Sequence, residues 1–275
     1  MKNLLSILVL AVISLTVFAQ AEDHPHHEKH YADVETIETP EVKIEIIKPH
    51  SQVNFSQFTI KLFNKTNDYV LMKKHAITFQ SDENGYGEQH PKEDVDFVEP
   101  GGDITRQIKV EGGVGFKVDN LNISFEGVFS RAPLKGKPTE GGQFRMKPDK
   151  NSIMMEPFAV TLKKWRFNTK ELSADFKIRY RGESIGIVHE GEVKIRKEDG
   201  TILENKEDRP KPFIIPPMGT KTVTVVRPFQ KDALDKKDSV FIVWDDALEE
   251  SPSTPISVSG ISLTYDPEKT KRENK

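Results

Sequence analysis

Cysteine is absent from this 275-residue chain, so no disulfide can staple it. Exported β-domains of animals usually carry disulfides, and a chain without them fits a bacterial protein held together by core packing alone. An excess of positive charge is lacking too. Lys and Arg number 40 against 43 Asp and Glu, with no polybasic stripe, which argues against nucleic acid as a partner. Beyond residue 18 no stretch is apolar enough to cross a bilayer. Helical periodicity never persists past two turns, except in short pieces near 169–175 and 230–237. Phosphate-loop, zinc-protease and dinucleotide-binding patterns do not occur.

What is present begins with a leader. Lys2 precedes the apolar run Leu4 to Phe18, broken only by Ser6, Ser14 and Thr16. Ala19-Gln20-Ala21 then supplies the small-x-small pattern of signal-peptide cleavage, a better match than Val17-Phe18-Ala19. No cysteine follows, so a bacterial lipid anchor is excluded. Residues 1–21 are expected to be a cleaved signal peptide, and the mature chain to be a periplasmic or secreted bacterial protein with no transmembrane segment. The three Asn-x-Ser/Thr sites carry no weight in a bacterium.

Period-two alternation dominates the remainder. Val42, Ile44 and Ile46 alternate with charge, as do Phe58-Thr59-Ile60-Lys61-Leu62 and Phe176-Lys177-Ile178-Arg179-Tyr180. Strands with one wet face read this way, which predicts antiparallel sheets. The skeleton also repeats at a spacing of 118: Val42, Ile44, Phe58, Ile60, Leu62, His75 and Ile77 find Val160, Leu162, Phe176, Ile178, Tyr180, Val193 and Ile195. Each half carries a proline-glycine corner, at Pro100-Gly101-Gly102 and Pro216-Pro217-Met218-Gly219. Only the buried face is repeated, so the pattern describes packing and not chemistry. The expected organisation is a His-rich flexible segment (22–39), a β-sandwich (40–130), a linker rich in Gly, Pro and Lys (131–154), a second sandwich (155–267) and a frayed charged tail (268–275). The switch of inward parity between Ile256, Val258 and Ile261, Leu263 predicts a β-bulge at Gly260.

The order of strand, Asn64-Lys65-Thr66-Asn67-Asp68 turn, strand, insertion, Pro-Gly-Gly corner and strand resembles the immunoglobulin-like domains of bacterial extracytoplasmic proteins. The second copy departs from it, with Arg181-Gly182-Glu183-Ser184 at the turn. The resemblance implies two tandem immunoglobulin-like antiparallel β-sandwiches, domains that mostly bind, space or assemble. It implies no particular ligand. The cysteine pair and tryptophan of antibody-type domains are missing.

The sharpest chemical candidate is the mature amino terminus. Cleavage after Ala21 exposes Glu22-Asp23-His24, whose amine, two amide nitrogens and imidazole can enclose Cu(II) or Ni(II) in a square plane. His26, His27 and His30 follow at once, a tract that suits Zn(II) as well. Gly182-Glu183-Ser184-Ile185-Gly186 matches a nucleophile elbow, but extended residues follow where a helix is required, so a β-turn explains it. Ser81 to Glu88 has the look of a calcium loop without EF-hand spacing, and Asn84-Gly85 reads as a hairpin turn, with His90 and Asp94 solvated nearby. Asp245-Asp246 and Glu249-Glu250 read as a loop at a strand's exit, and Trp165 and Trp244 as core or interface aromatics. The expectation is a non-enzymatic exported protein that needs no cofactor and binds an unknown protein or envelope partner, with loops 81–95 and 203–212 as recognition surfaces. The alternative is a periplasmic copper-, nickel- or zinc-binding protein using Glu22, Asp23, His24, His26, His27 and His30.

Overall fold

The fold is that of a computed structural model, which describes residues 27–81, 85–87, 95–111, 115–146, 151–168, 171–203, 212–228 and 239–274. The first half supplies thirteen strands: β1 (Lys29–His30), β2 (Ile37–Glu38), β3 (Val42–Ser51), β4 (Phe55–Asn64), β5 (Tyr69–Lys73), β6 (Thr78–Gln80), β7 (Gly85–Gly87), β8 (Val95–Val98), β9 (Asp103–Glu111), β10 (Asn120–Ser124), β11 (Phe129–Ala132), β12 (Lys137–Pro138) and β13 (Gln143–Arg145). The second half supplies β14 (Ser152–Met155), β15 (Phe158–Phe167), β16 (Glu171–Tyr180), β17 (Ile185–Val188), β18 (Lys194–Lys197), β19 (Ile202–Leu203), β20 (Phe213–Ile215), β21 (Thr220–Pro228), β22 (Val240–Val243), β23 (Leu248–Ser251), β24 (Thr254–Ile256) and β25 (Ile261–Thr264), then helix α1 (Pro267–Glu273). All the pairings are antiparallel, as alternation predicts.

The sheets obey one scheme twice. In the first lobe they run β1-β3-β4-β9, β25-β10-β6-β7 and β24-β11-β5-β8. In the second they run β14-β15-β16-β21, β13-β22-β18-β19 and β12-β23-β17-β20. Each half of the chain therefore gives its last two strands to the other lobe. β12 and β13 complete the second lobe, and β24 and β25 complete the first. The segment 131–154, expected as a linker, carries β12, β13 and most of β14, with Phe144 and Met146 buried in the second core. Its polar composition hid two anchoring side chains. Residues 257–260 are the passage between two sheets of the first lobe and not a bulge within one strand, which is why parity switches there.

Register corrects the repeat spacing. Val42 opposes Asn64 as Phe158 opposes Tyr180, and Ile46 opposes Ile60 as Leu162 opposes Phe176. The equivalent residues are thus 116 apart there, not 118. A slip of two leaves every side chain on its proper face, so hydrophobicity alone cannot detect it. Equivalent corners confirm the register: Asn64 N–H donates to the Gly102 carbonyl at 2.9 Å, and Tyr180 N–H to that of Gly219 at 3.0 Å.

Three apolar clusters hold the assembly. One core lies in each lobe, centred on Ile44, Phe58, Phe79 and Leu121 in the first and on Phe158, Phe176, Ile195 and Trp244 in the second. Such clusters, shared by facing sheets, make each lobe sandwich-like. The third cluster joins the lobes: Tyr69, Leu71 and Val95 of one meet Ile185 and Ile187 of the other. β5 and β17 are consequently buried on both faces, and both break alternation.

The carboxyl-terminal segment also departs from expectation. Where a frayed tail was predicted, α1 forms. Asp266 caps it by accepting from the Lys269 N–H at 2.9 Å, and Pro267 occupies the first turn. Lys269 Nζ reaches the Tyr31 carbonyl at 2.9 Å and Asp33 at 2.7 Å, which ties the helix to the start of the fold. Residues 171–175, one of the short helical candidates, are β-strand in β16, while 230–237 lie outside the described residues.

Interlocking predicts shared cooperativity. Both tryptophans belong to the second lobe, whereas Leu263 on β25 is buried in the first. Leu263→Ala is expected to cost about 2–5 kcal/mol and to shift tryptophan-fluorescence and far-UV dichroism midpoints together in urea. A fluorescence midpoint that stays at its wild-type value would mean the lobes unfold independently.

Candidate functional site

The described part of the His-rich tract does not hang free. β1 pairs with the end of β3, placing His30 opposite His50, and the two imidazoles stack with centroids 5.6 Å apart. Glu28 brings its carboxylate to the same place, Oε2 lying 3.3 Å from His30 Nε2 and Oε1 3.9 Å from His50 Nε2. Gln52 Nε2 donates to Glu28 Oε1 at 3.3 Å and steadies that carboxylate. His30 is only 9% exposed, and its Nε2 is sealed from solvent without a hydrogen-bond partner. Burial lowers the pKa of His30, an effect that the Glu28 charge opposes.

The termini of the fold organise this cluster. Asn274, just beyond α1, is bonded on both sides of Glu28: its Oδ1 accepts from Glu28 N–H at 3.1 Å, and its Nδ2 donates to Glu28 O at 2.7 Å. Thr270 Oγ1 accepts from the His30 N–H at 2.9 Å. Below them Tyr31 is fully buried, hydrogen-bonded to Ser51 Oγ at 2.8 Å, and its hydroxyl pKa is pushed up to about 12 by desolvation.

Of the six proposed metal ligands, Glu22, Asp23, His24 and His26 lie outside the described residues. His27 is exposed and His30 is built into the sheet. His50 was missed by sequence reading because it stands 20 residues from His30. Only the pairing of β1 with β3 joins them, and a two-residue strand leaves almost no periodicity to read.

The other candidates resolve into packing. Ser184 lies in a turn before β17, with no helix after it. A Cβ at Gly186 would come within 2.7 Å of the Phe158 ring, and one at Gly182 within 2.1 Å of the Tyr180 hydroxyl. The glycines of that motif are there to admit aromatic rings. His189 stands 3.3 Å from Glu249, whose other oxygen accepts from the Gly136 N–H at 2.8 Å. Tyr180 donates to Glu250 Oε1 at 2.5 Å, and its pKa is raised by burial and by that carboxylate. Glu249 and Glu250, neighbours on β23, project to opposite faces of the strand and cannot work as an acid–base pair. Asp246 takes positive φ in a turn. Asp245 edges a hollow of about 100 Å³ that Gln143, Lys194, Arg196, Ile202 and Val243 also line. Trp244 is core, edge-on to Phe176 at 5.0 Å, and Trp165 packs at the margin of the same core. β6 pairs antiparallel with β7, and Gly85, expected in a hairpin turn with Asn84, lies in β7 opposite Gln80; residues 82–84, His90 and Asp94 lie outside the described residues.

Asn64 is a structural residue of the turn that carries the family resemblance. Its Nδ2 donates to the carbonyls of Asp68, Val98 and Glu99, and its Oδ1 accepts from Thr66. Tyr180 occupies the equivalent place in the second lobe, so turn chemistry was replaced there by an aromatic and Glu250.

Neither a protein-family model nor a curated protein matches the chain. Among solved structures, the secreted serine protease VesC from Vibrio cholerae aligns with 79% of this chain at 9% identity and a TM-score of 0.19. The chain spans about half (48%) of the length of that protein. A superposition of that quality carries no argument about fold or activity.

Two substitutions separate packing from catalysis at the serine motif. Gly186→Ala is expected to destabilise by about 1–3 kcal/mol through overpacking against Phe158. Ser184→Ala is expected to leave the urea midpoint unchanged. The reverse order of effects would overturn the assignment of Gly186, and not Ser184, as the packing position.

Proposed function

We propose that this chain is a non-enzymatic exported bacterial protein of two immunoglobulin-like sandwiches, a rigid frame that binds or spaces a partner in the envelope or outside the cell. The observation that carries the reading is the exchange of β12–β13 for β24–β25, which joins two lobes into one frame. The residues with catalytic appearance are engaged in support of that frame: Glu249 holds Gly136, Glu250 holds Tyr180, and the Gly182 and Gly186 positions admit aromatic rings. Among the described residues no helix is long and apolar enough to cross a membrane. Loops 81–95 and 203–212 remain the proposed recognition surfaces.

The test is photo-crosslinking in cells from a residue placed in each loop. Partner adducts are expected from loop positions and not from Thr222 on the outer face of β21. Replacing either loop by a Gly-Ser segment of equal length should remove its adducts while preserving the thermal midpoint. Turnover of an ester or glycoside by the purified protein, lost on Ser184→Ala or Asp245→Asn, would overturn the reading.

A further inference from the structure

We infer that Glu28, His30 and His50 form a divalent-metal site of the Zn(II) class, built into the folded body and separate from the square-planar chelate at Glu22-Asp23-His24. The inference goes beyond the frame reading and does not depend on it. Its basis is an electrostatic mismatch that a cation removes. A carboxylate sits between two imidazole nitrogens, at 3.3 and 3.9 Å.

The tautomers sharpen the mismatch. His50 Nδ1 lies 3.0 Å from the Lys48 carbonyl, an oxygen that only accepts, so Nδ1 carries the proton. In the neutral ring His50 Nε2 is then the nitrogen with the lone pair, and it is the one that faces Glu28, 3.9 Å from Oε1. This is the arrangement in which a metal-binding histidine is oriented by a backbone carbonyl on its far side. His30 Nε2, shut away from water and without a hydrogen bond, faces the same carboxylate. A buried polar atom left without a partner is costly, and a metal ion would satisfy it.

Distances suit the ion. With bonds of about 2.0–2.1 Å, adjacent ligand atoms of a tetrahedral zinc site stand about 3.3–3.4 Å apart. The Glu28–His30 separation already has that value. Among the described residues no group of three such side chains is placed to hold an ion as it stands, so binding must draw His50 toward Glu28 and His30. Gln52 and Asn274 supply the outer hydrogen bonds that fix Glu28, its side chain and its backbone respectively. Two imidazoles and one carboxylate leave a fourth position for water or for another ligand, and that donor set favours Zn(II) over soft Cu(I).

The experiment is titration of the full mature protein with Zn(II) by calorimetry and with Co(II) by visible absorption. It is repeated on His24→Ala/His26→Ala, on Glu28→Gln and on His50→Ala, with circular dichroism of each. The double variant is expected to lose the terminal Cu(II) chelate yet keep one Zn(II) and a tetrahedral Co(II) spectrum. Glu28→Gln, whose side chain keeps its shape, and His50→Ala are each expected to weaken Zn(II) binding by at least tenfold, about the effect of losing one zinc ligand or its support. Zinc should also raise the thermal midpoint of the wild type and not that of His50→Ala. Three results would overturn the inference: loss of all zinc in the double variant, unchanged affinity in Glu28→Gln, or His50 ring signals that respond to acid and ignore Zn(II). The last would identify the cluster as a pair that holds a proton.

Discussion

The constraint on which the rest depends is that neither lobe can pair its own sheet edges. β10 and β11 need β25 and β24, and β22 and β23 need β13 and β12. Unpaired strand edges bring lost hydrogen bonds and exposed apolar faces, so each half of the chain is incomplete until the other has formed. The lobes are joined by ladder hydrogen bonds as well as by the apolar layer of Leu71, Ile185 and Ile187. This is domain swapping carried out within one chain, where the partner's effective concentration is fixed by a connection of a few residues.

That arrangement also explains a chain with no disulfide. Covalent staples limit the freedom of an unfolded chain; here crossed connections bring remote segments together as a condition of folding. Residues 30 and 50 come to face each other through the pairing of β1 with β3, and the helix from 267 to 273 closes over that pairing. The buried imidazole of His30, unsatisfied beside the Glu28 carboxylate as His189 is beside Glu249, therefore lies where three remote segments meet.

Much of this was legible in the sequence, and the rest was not, for physical reasons. Alternation of Val42, Ile44 and Ile46 gives strand type and buried face correctly, because a sheet's two faces impose a period of two. The same period conceals a slip of two, so Val42 was matched with Val160 when its counterpart is Phe158. Strand exchange is invisible to periodicity altogether. Leu263 reads as an inward-facing residue whichever lobe receives it, and Phe144 stands in a segment whose composition reads as a linker. The cap Asp266, with Pro267 behind it, was a readable helix signal that the surrounding charge obscured. At the His cluster, Glu28 and His30 were visible as composition, while His50 required a strand pairing only two residues long.

The exchange bears on the order of events during synthesis. β10 and β11 are made well over 100 residues before their partners β24 and β25. The leading half cannot close its sheets as it emerges, although domains generally fold in the order they are made. It must wait with two open edges until β24 and β25 have been synthesised. Whatever keeps those edges from pairing with a neighbouring chain in that interval governs the yield of native protein.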